Sequence, residues 1–390
     1  MLLLLVAGLA AWNYLRPIPA VAAAGSVRAS ETIAGTPPAL PWPSRGSGAI
    51  SAKNLGFIAS SGNEQPIPAA SVTKVMTALL ILEEKPLKKD EQGPTITLTD
   101  ADVASYEADL ANKESVVAVR SGEQLTELEA LQGMLIPSAN NLAETLARWD
   151  AGSIDAFVTK MNSRAAALHL THTRFADTSG ANAGSVSTPT DLIALGAVAM
   201  KQEVFAQVVG MGQAVLPVAG IVYNVDSVLG QSGIAGIKTG SGLSTGANFL
   251  FAADITVDGK PVTVYGCVMG QATLDAAFRS AKGLIASAQA ALHVHTLIAR
   301  NQTIATYVTP WGAQSDLVAA VDLDLIEWPG MVRRQHLDAH TIVVDRPLAA
   351  RTQEGNLNVV LGDYNQDVPL VTALPMYPPG RFWRLTRLTF

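Results

Sequence analysis

Ala69-Ala70-Ser71-Val72-Thr73-Lys74-Val75-Met76-Thr77-Ala78-Leu79-Leu80-Ile81-Leu82 is the stretch on which the reading of this chain turns. Pro66 and Pro68 keep its approach extended, and from Ser71 to Pro86 nothing breaks a helix, so about three or four turns are expected. Residues three apart share a helical face, which stands Lys74 beside Ser71. A helix that is apolar all round is normally buried, and burial favours the neutral amine of a lysine. Such a lysine is a base for a neighbouring serine. Ser71 would sit in the first turn, where free backbone N–H groups and the positive helix end favour developing negative charge. The same spacing also fits a helix cap followed by a snorkelling lysine, and chance alone supplies it about once in a chain of this length.

The chain beyond the serine stretch sets the compartment and the classes to exclude. Its 390 residues suggest about two or three domains. A net charge of −6 and the lack of a dense basic stripe give no case for nucleic-acid binding. The single Cys267 lies in the apolar run 262–269 and reads as a buried structural thiol. Residues 1–24 carry an apolar run to Leu15, then Arg16 and the small-residue run Ala20-Val21-Ala22-Ala23-Ala24. They read as a signal peptide without a positive n-region, or as the end of an N-terminal membrane anchor whose start lies upstream, since about 20 residues are needed to span a bilayer. Either reading exports the rest of the chain. Residues 25–45, rich in Gly, Pro, Ser and Ala, read as a linker.

Further along, residues 49–60 read as a strand leading to a turn at Ser61-Gly62-Asn63. Residues 96–98 and 115–119 are short strand candidates. Thr126 and Glu129 form a capping box for a helix that ends near Pro137, and Ser138-Ala139-Asn140 follows. Helices are expected over 141–149, 154–168 and from Thr188 through Met200, with a polar loop at Phe175–Gly180. From Val215 the texture turns to strands at 215–218, 236–239, 248–255 and 262–269, with a helix over 274–291. After Arg300, short apolar runs at 303–308, 317–325, 341–344, 356–361 and 368–373 suggest a small separate β-sandwich or barrel.

Lys238-Thr239-Gly240 lies on one of these strands, followed by Ser241. A glycine there lets another extended chain approach the strand edge, with Lys238 supplying positive charge and free N–H groups able to face a carbonyl oxygen. Taken singly, this motif also fits a strand with a glycine turn, and Ser138-Ala139-Asn140 a helix junction. His293 with His295 and His169 with His172 lack companion carboxylates, so no metal site is expected.

A Ser-x-x-Lys at a helix start, a Ser-x-Asn after a helix and a Lys-Thr-Gly on a strand, in that order, form the motif set of penicillin-recognising serine acyl enzymes. More narrowly, the chain resembles the low-molecular-mass D-alanyl-D-alanine carboxypeptidases, peptidase family S11, on segments Ala70–Thr77, Leu135–Asn141, Thr173–Gly180 and Gly236–Gly240. The resemblance implies an α/β (α+β) fold of the β-lactamase/transpeptidase type over residues 46–299, with a central antiparallel sheet flanked by helices. Residues 300–390 would be a small all-β domain. It implies Ser71 as nucleophile, Lys74 as its base and Ser138 as a relay to the leaving amine. Asn140, Lys238, Thr239, Gly240 and Ser241 would bind substrate, with Lys238 and Thr239 on its terminal carboxylate and the N–H groups of Ser71 and Ser241 on the oxyanion; Arg279 is a further candidate for the carboxylate. No cofactor is implied. Implied partners are peptidoglycan stem peptides ending in D-Ala-D-Ala, β-lactams as covalent inhibitors, and a membrane surface met through the N-terminal segment. The end at Arg381–Phe390 is too short for an anchor of its own. Rival readings are a serine β-lactamase, against which stands the lack of a Glu-x-x-x-Asn segment after Asn140, and a catalytically silent wall-binding protein. Ser241 is smaller than the side chain usual after Lys-Thr-Gly.

Overall fold

A computed structural model of the chain describes residues 2–25, 27–61, 64–242 and 245–387. Part of the turn at Ser61-Gly62-Asn63 and the last residues of Arg381–Phe390 lie outside these. The residues fall into two compact units, Pro38–Ala291 and a second made of Met1–Pro37 with Leu292–Phe390.

The first unit is built on strands β1 (Ser47–Ala52) and β2 (Gly56–Ser60), helices α1 (Lys74–Glu84), α2 (Glu127–Leu135), α3 (Asn140–Ala151) and α4 (Pro189–Ala199), then strands β3 (Ile234–Gly242), β4 (Gly246–Val257) and β5 (Lys260–Gln271) and helix α5 (Leu274–Ala291). The five strands form one antiparallel sheet in the order β3-β4-β5-β1-β2. Neighbouring residues of a strand point to opposite faces. On β4, Phe249 meets Phe278 of α5 edge-on, ring centroids 4.9 Å apart, whereas Leu250 packs against the backbone of Gly196 in α4. Helices therefore cover both faces of the sheet, and β4 is buried from Ala247 to Ala253, as its apolar run Phe249–Ala253 requires.

Local signals explain most boundaries. Thr126 accepts the Glu129 N–H and Glu129 accepts the Thr126 N–H, closing the expected box on α2, and Pro137 follows its end. Thr188 caps α4, with Pro189 at the first helical position. The expected strand over 49–60 is a hairpin, because Asn54 takes a left-handed φ of 69° and reverses the chain between β1 and β2. Residues 115–119 are not a strand. Their backbone groups are taken by α3 instead: the Ser115 carbonyl accepts the Asn140 N–H, and the Asn141 amide bonds both Val117 N–H and C=O. A helix at Asp100–Ala111 has its own capping box, Thr99 with Asp102.

In the second unit, a six-stranded sheet runs in the order Ser30–Thr32, Val332–Ala339, Gln353–Leu361, Tyr364–Thr372, Gln314–Ala319 and Thr303–Val308. Its core holds Tyr307, Leu317, Val359, Leu361, Val368 and Leu370. The run at 317–325 splits into two strands, Gln314–Ala319 and Leu323–Glu327, the second pairing with His293–Ile298. Residues 341–344 make only a bridge, Ile342 to Val21. Within the stretch read as a linker, Ser30–Thr32 pairs with Val332–Arg334, so this part of 25–45 is a sheet edge. Leu2–Leu15 is helical, and Arg384 and Arg387 donate to the carbonyls of Tyr14, Asn13, Arg16 and Pro17 at its end. Among the described residues no single helix is long and apolar enough to cross a membrane.

Gly266 of β5 lies opposite Phe251 of β4, and a Cβ at Gly266 would fall 2.1 Å from that ring. Gly266→Ala is expected to lower stability by about 1–3 kcal/mol through overpacking, read as a shift of the urea midpoint at unchanged slope.

Candidate active site

The Ser71 stretch enters its helix through a tight turn. Ala70–Thr73 is a 3-10 segment and α1 proper begins at Lys74, later than the expected start at Ser71. Ala70 takes a left-handed φ of 49° immediately before Ser71, a conformation that L-residues adopt only when neighbours hold it. Those neighbours are identifiable. Asn248 of β4 donates to the carbonyls of Pro68 (2.9 Å) and Ala69 (3.0 Å) and accepts the Gly270 N–H (2.8 Å). Gly180 and Gly240 press against the same turn. A Cβ at Gly180 would fall 1.8 Å from the Ala70 carbonyl oxygen, and one at Gly240 would fall 2.9 Å from the Ala69 oxygen and 3.1 Å from the Ser71 nitrogen. Only glycine permits both approaches.

Ser71 itself is half-buried, and Lys74 is wholly buried. The Lys74 Nζ lies 2.9 Å from Ser71 Oγ, 2.6 Å from Asn140 Oδ1 and 3.0 Å from the Ser179 carbonyl oxygen. Burial lowers the Lys74 pKa well below that of a free lysine, and the Lys238 charge lowers it further; Asp177, Glu114 and Asp109 act in the opposite sense. Lys238, also buried, is pulled down to about 7 by desolvation, against which the Asp226 carboxylate works. Burial, the cause expected for a neutral Lys74, is thus joined by the charge of a second lysine.

Hydrogen bonds thus join Ser71, Lys74 and Asn140. Ser138 is buried two residues before Asn140, in the left-handed turn (φ 67°) between α2 and α3. Lys238, Thr239 and Gly240 are buried on β3, whose Gly240 lies against the Ser71 turn. Ser241 is exposed at the next position of the strand, paired with Ala247. Arg279 is exposed on α5. Cys267 is fully buried and burial pushes its thiol up, as suits a structural thiol.

Sequence reasoning assigned no role to two groups in this cluster. The Ser179 carbonyl lies in the expected loop, which Asp177 organises by accepting from the hydroxyls of Ser179 and Ser185 and from the Asn182 N–H. Glu114 accepts from Asn140 Nδ2 at 2.5 Å. A polar, glycine-ended loop signalled the first; nothing near Glu114 signalled the second.

A family model described as D-alanyl-D-alanine carboxypeptidase, peptidase S11, matches residues 50–273, more than half of the chain. The chain belongs to this family. It is 33% identical over 202 residues to the D-alanyl-D-alanine carboxypeptidase DacB2 of Mycobacterium tuberculosis, a match covering 50% of this chain and 65% of that protein. The chain therefore spans just under two thirds of that relative's length. The crystal structure of the Streptomyces K15 DD-transpeptidase superposes with a TM-score of 0.57 at 26% identity, covering 66% of this chain and all of that one. Penicillin binding protein 5 of Haemophilus influenzae, at 16% identity, shares the fold over 88% of this chain with a TM-score of 0.62, covering 100% of that chain. The helix-flanked antiparallel sheet is thus a fold shared with solved DD-transpeptidase and penicillin-binding protein structures.

Gly180 has a φ of 83° besides its contact with Ala70. Gly180→Ala is expected to lose about 1–3 kcal/mol from backbone strain alone, read by thermal unfolding. The contact with the Ala70 carbonyl makes that range a lower bound.

Proposed function

We propose that the chain is a serine-type D-Ala-D-Ala carboxypeptidase that removes the terminal D-alanine of peptidoglycan stem peptides through an acyl-serine. The observation that carries this reading is the buried Lys74 amine 2.9 Å from the Ser71 hydroxyl, with a second lysine on β3 to keep it neutral. Neutral Lys74 takes the Ser71 proton as Oγ attacks the carbonyl carbon of the scissile bond. The oxyanion forms against the N–H groups of Ser71 and Ser241, where preorganised donors stabilise developing charge. As the C–N bond breaks, the proton passes from Lys74 through Ser138 to the leaving amine. Water then adds to the ester with Lys74 again as base, and Ser71 is released. Asn140 holds the peptide backbone. Lys238 and Thr239 hold the terminal carboxylate, which accounts for a lysine placed on a strand edge beside glycine. β-Lactams, as cyclic amides with a carboxylate, would acylate Ser71 by the same steps. With this substrate the protein works outside the cytoplasmic membrane, consistent with reading residues 1–24 as an export signal or anchor.

Incubation with a fluorescent penicillin and with a D-Ala-D-Ala peptide tests the reading. A lasting label and D-alanine release, both lost in Ser71→Ala, are expected. Rapid penicillin turnover would indicate a β-lactamase, and no label would overturn both.

The pH dependence follows from the two lysines. Acylation should fall on the acid side as Lys74 takes up a proton, because only the neutral amine is a base. Lys238 loses its charge as pH rises through about 7. KM for a carboxylate-ended peptide should accordingly rise above that pH. Asp226→Asn should move the rise to lower pH, since that carboxylate favours the Lys238 cation.

A further inference from the structure

We propose that Glu114 is a positioning residue: by holding the Asn140 amide in one orientation it leaves the lone pair of Lys74 free for the Ser71 proton. The inference deepens the proposed function and rests on Lys74 being the base.

The argument is one of donors and acceptors. A neutral lysine amine has two N–H bonds and one lone pair. The Ser179 carbonyl oxygen only accepts, at 3.0 Å, and so uses one N–H. Asn140 Oδ1, at 2.6 Å, uses the other. What remains is the lone pair, and the remaining neighbour is Ser71 Oγ at 2.9 Å. This holds only while the oxygen of the Asn140 amide faces the amine. If the amide turned over, its NH2 would take the lone pair and Ser71 would have no base.

Glu114 is what prevents the turn. An ionised carboxylate only accepts, so it binds Asn140 Nδ2, at 2.5 Å, and repels Asn140 Oδ1. Its own place is fixed on both sides. The helix Asp100–Ala111 ends, Lys113 turns the chain with a φ of 60°, and the Glu114 N–H donates to the Asp109 carbonyl at 2.9 Å. The next carbonyl, Ser115, accepts the Asn140 N–H at 2.7 Å, and Asn141 clasps Val117. Main chain and side chain of Glu114–Val117 are thus both fastened to the start of α3.

The charge of Glu114 acts separately from its orientation of Asn140. The groups that bear on Lys74 are Lys238, which lowers its pKa, and Asp177, Glu114 and Asp109, which raise it. Neutralising Glu114 should therefore make two opposite changes: a poorer plateau rate, because Asn140 is free to turn, and an acid limb displaced to lower pH, because Lys74 holds its proton less tightly.

The test is the second-order rate of acylation by a fluorescent penicillin from about pH 5 to 9, for the full chain and its variants. Glu114→Gln, which can donate or accept, is expected to lower the plateau at least about tenfold and to shift the acid limb downward. Glu114→Asp keeps charge and acceptor, so its limb should stay and its plateau should largely recover. In an Asn140→Ala background, Glu114→Gln should leave the plateau where Asn140→Ala alone put it. A lowered plateau with an unmoved limb, or an equal loss in the Asn140→Ala background, would show Glu114 to be merely structural and overturn the inference. Should Glu114→Gln fail to fold, a plateau lowered about tenfold or more in Glu114→Asp, with an unmoved limb, overturns it. An unlabelled wild type would instead overturn the proposed function.

Discussion

The molecule's central constraint is a lysine amine removed from water. Lys74 is wholly buried, and an ionised amine there would bear a desolvation cost that three acceptor contacts only partly offset. Burial disfavours the proton, and the neutral amine is also the useful form. The surrounding structure can be understood as what is needed to bring three separate pieces of chain to one nitrogen: the Ser71 turn, the start of α3 and the loop at Thr178–Gly180.

Each piece is held by groups that do no chemistry. Asn248 bonds the approach to Ser71 and the next strand at once. Thr77 Oγ1 donates to the Thr178 carbonyl at 2.7 Å, fastening the loop to α1 one residue before its Ser179 carbonyl meets Lys74. Gly180 and Gly240 are spaces for the backbone of Ala69–Ser71, so a side chain at either would push the serine away from its partners. The left-handed φ of Ala70 and of Ser138 mark where this closure strains the chain.

How much of this was legible in the sequence depends on distance along the chain. Ser71 and Lys74 are three apart, so helix geometry alone placed them together, and the apolar run predicted the burial. Thr126 with Glu129 and Thr188 with Pro189 announced their helices because caps are local. The Asp100–Ala111 helix carries the same signal in Thr99 and Asp102, but its apolar face is weak and it is not among the helices expected from the sequence. Residues 115–119 look like a strand by composition, but two asparagines of α3 take their backbone groups, a tertiary event that no local pattern contains. Residues 30–32 read as linker because a short edge strand carries little apolar alternation. The Ser-x-Asn and Lys-Thr-Gly segments joined the site only through the order of the three motifs. Glu114 sits in no motif and acts across 26 positions on Asn140, so only the fold exposes it.

The account stands on Lys74 being neutral at working pH. Its charge can be followed directly by the 13Cε shift in protein labelled at lysine, with Lys74→Ala supplying the assignment. The account predicts that Lys74 titrates well below the range of the exposed lysines. A Lys74 signal that titrates with them, near the ordinary lysine value of about 10.4, would contradict it.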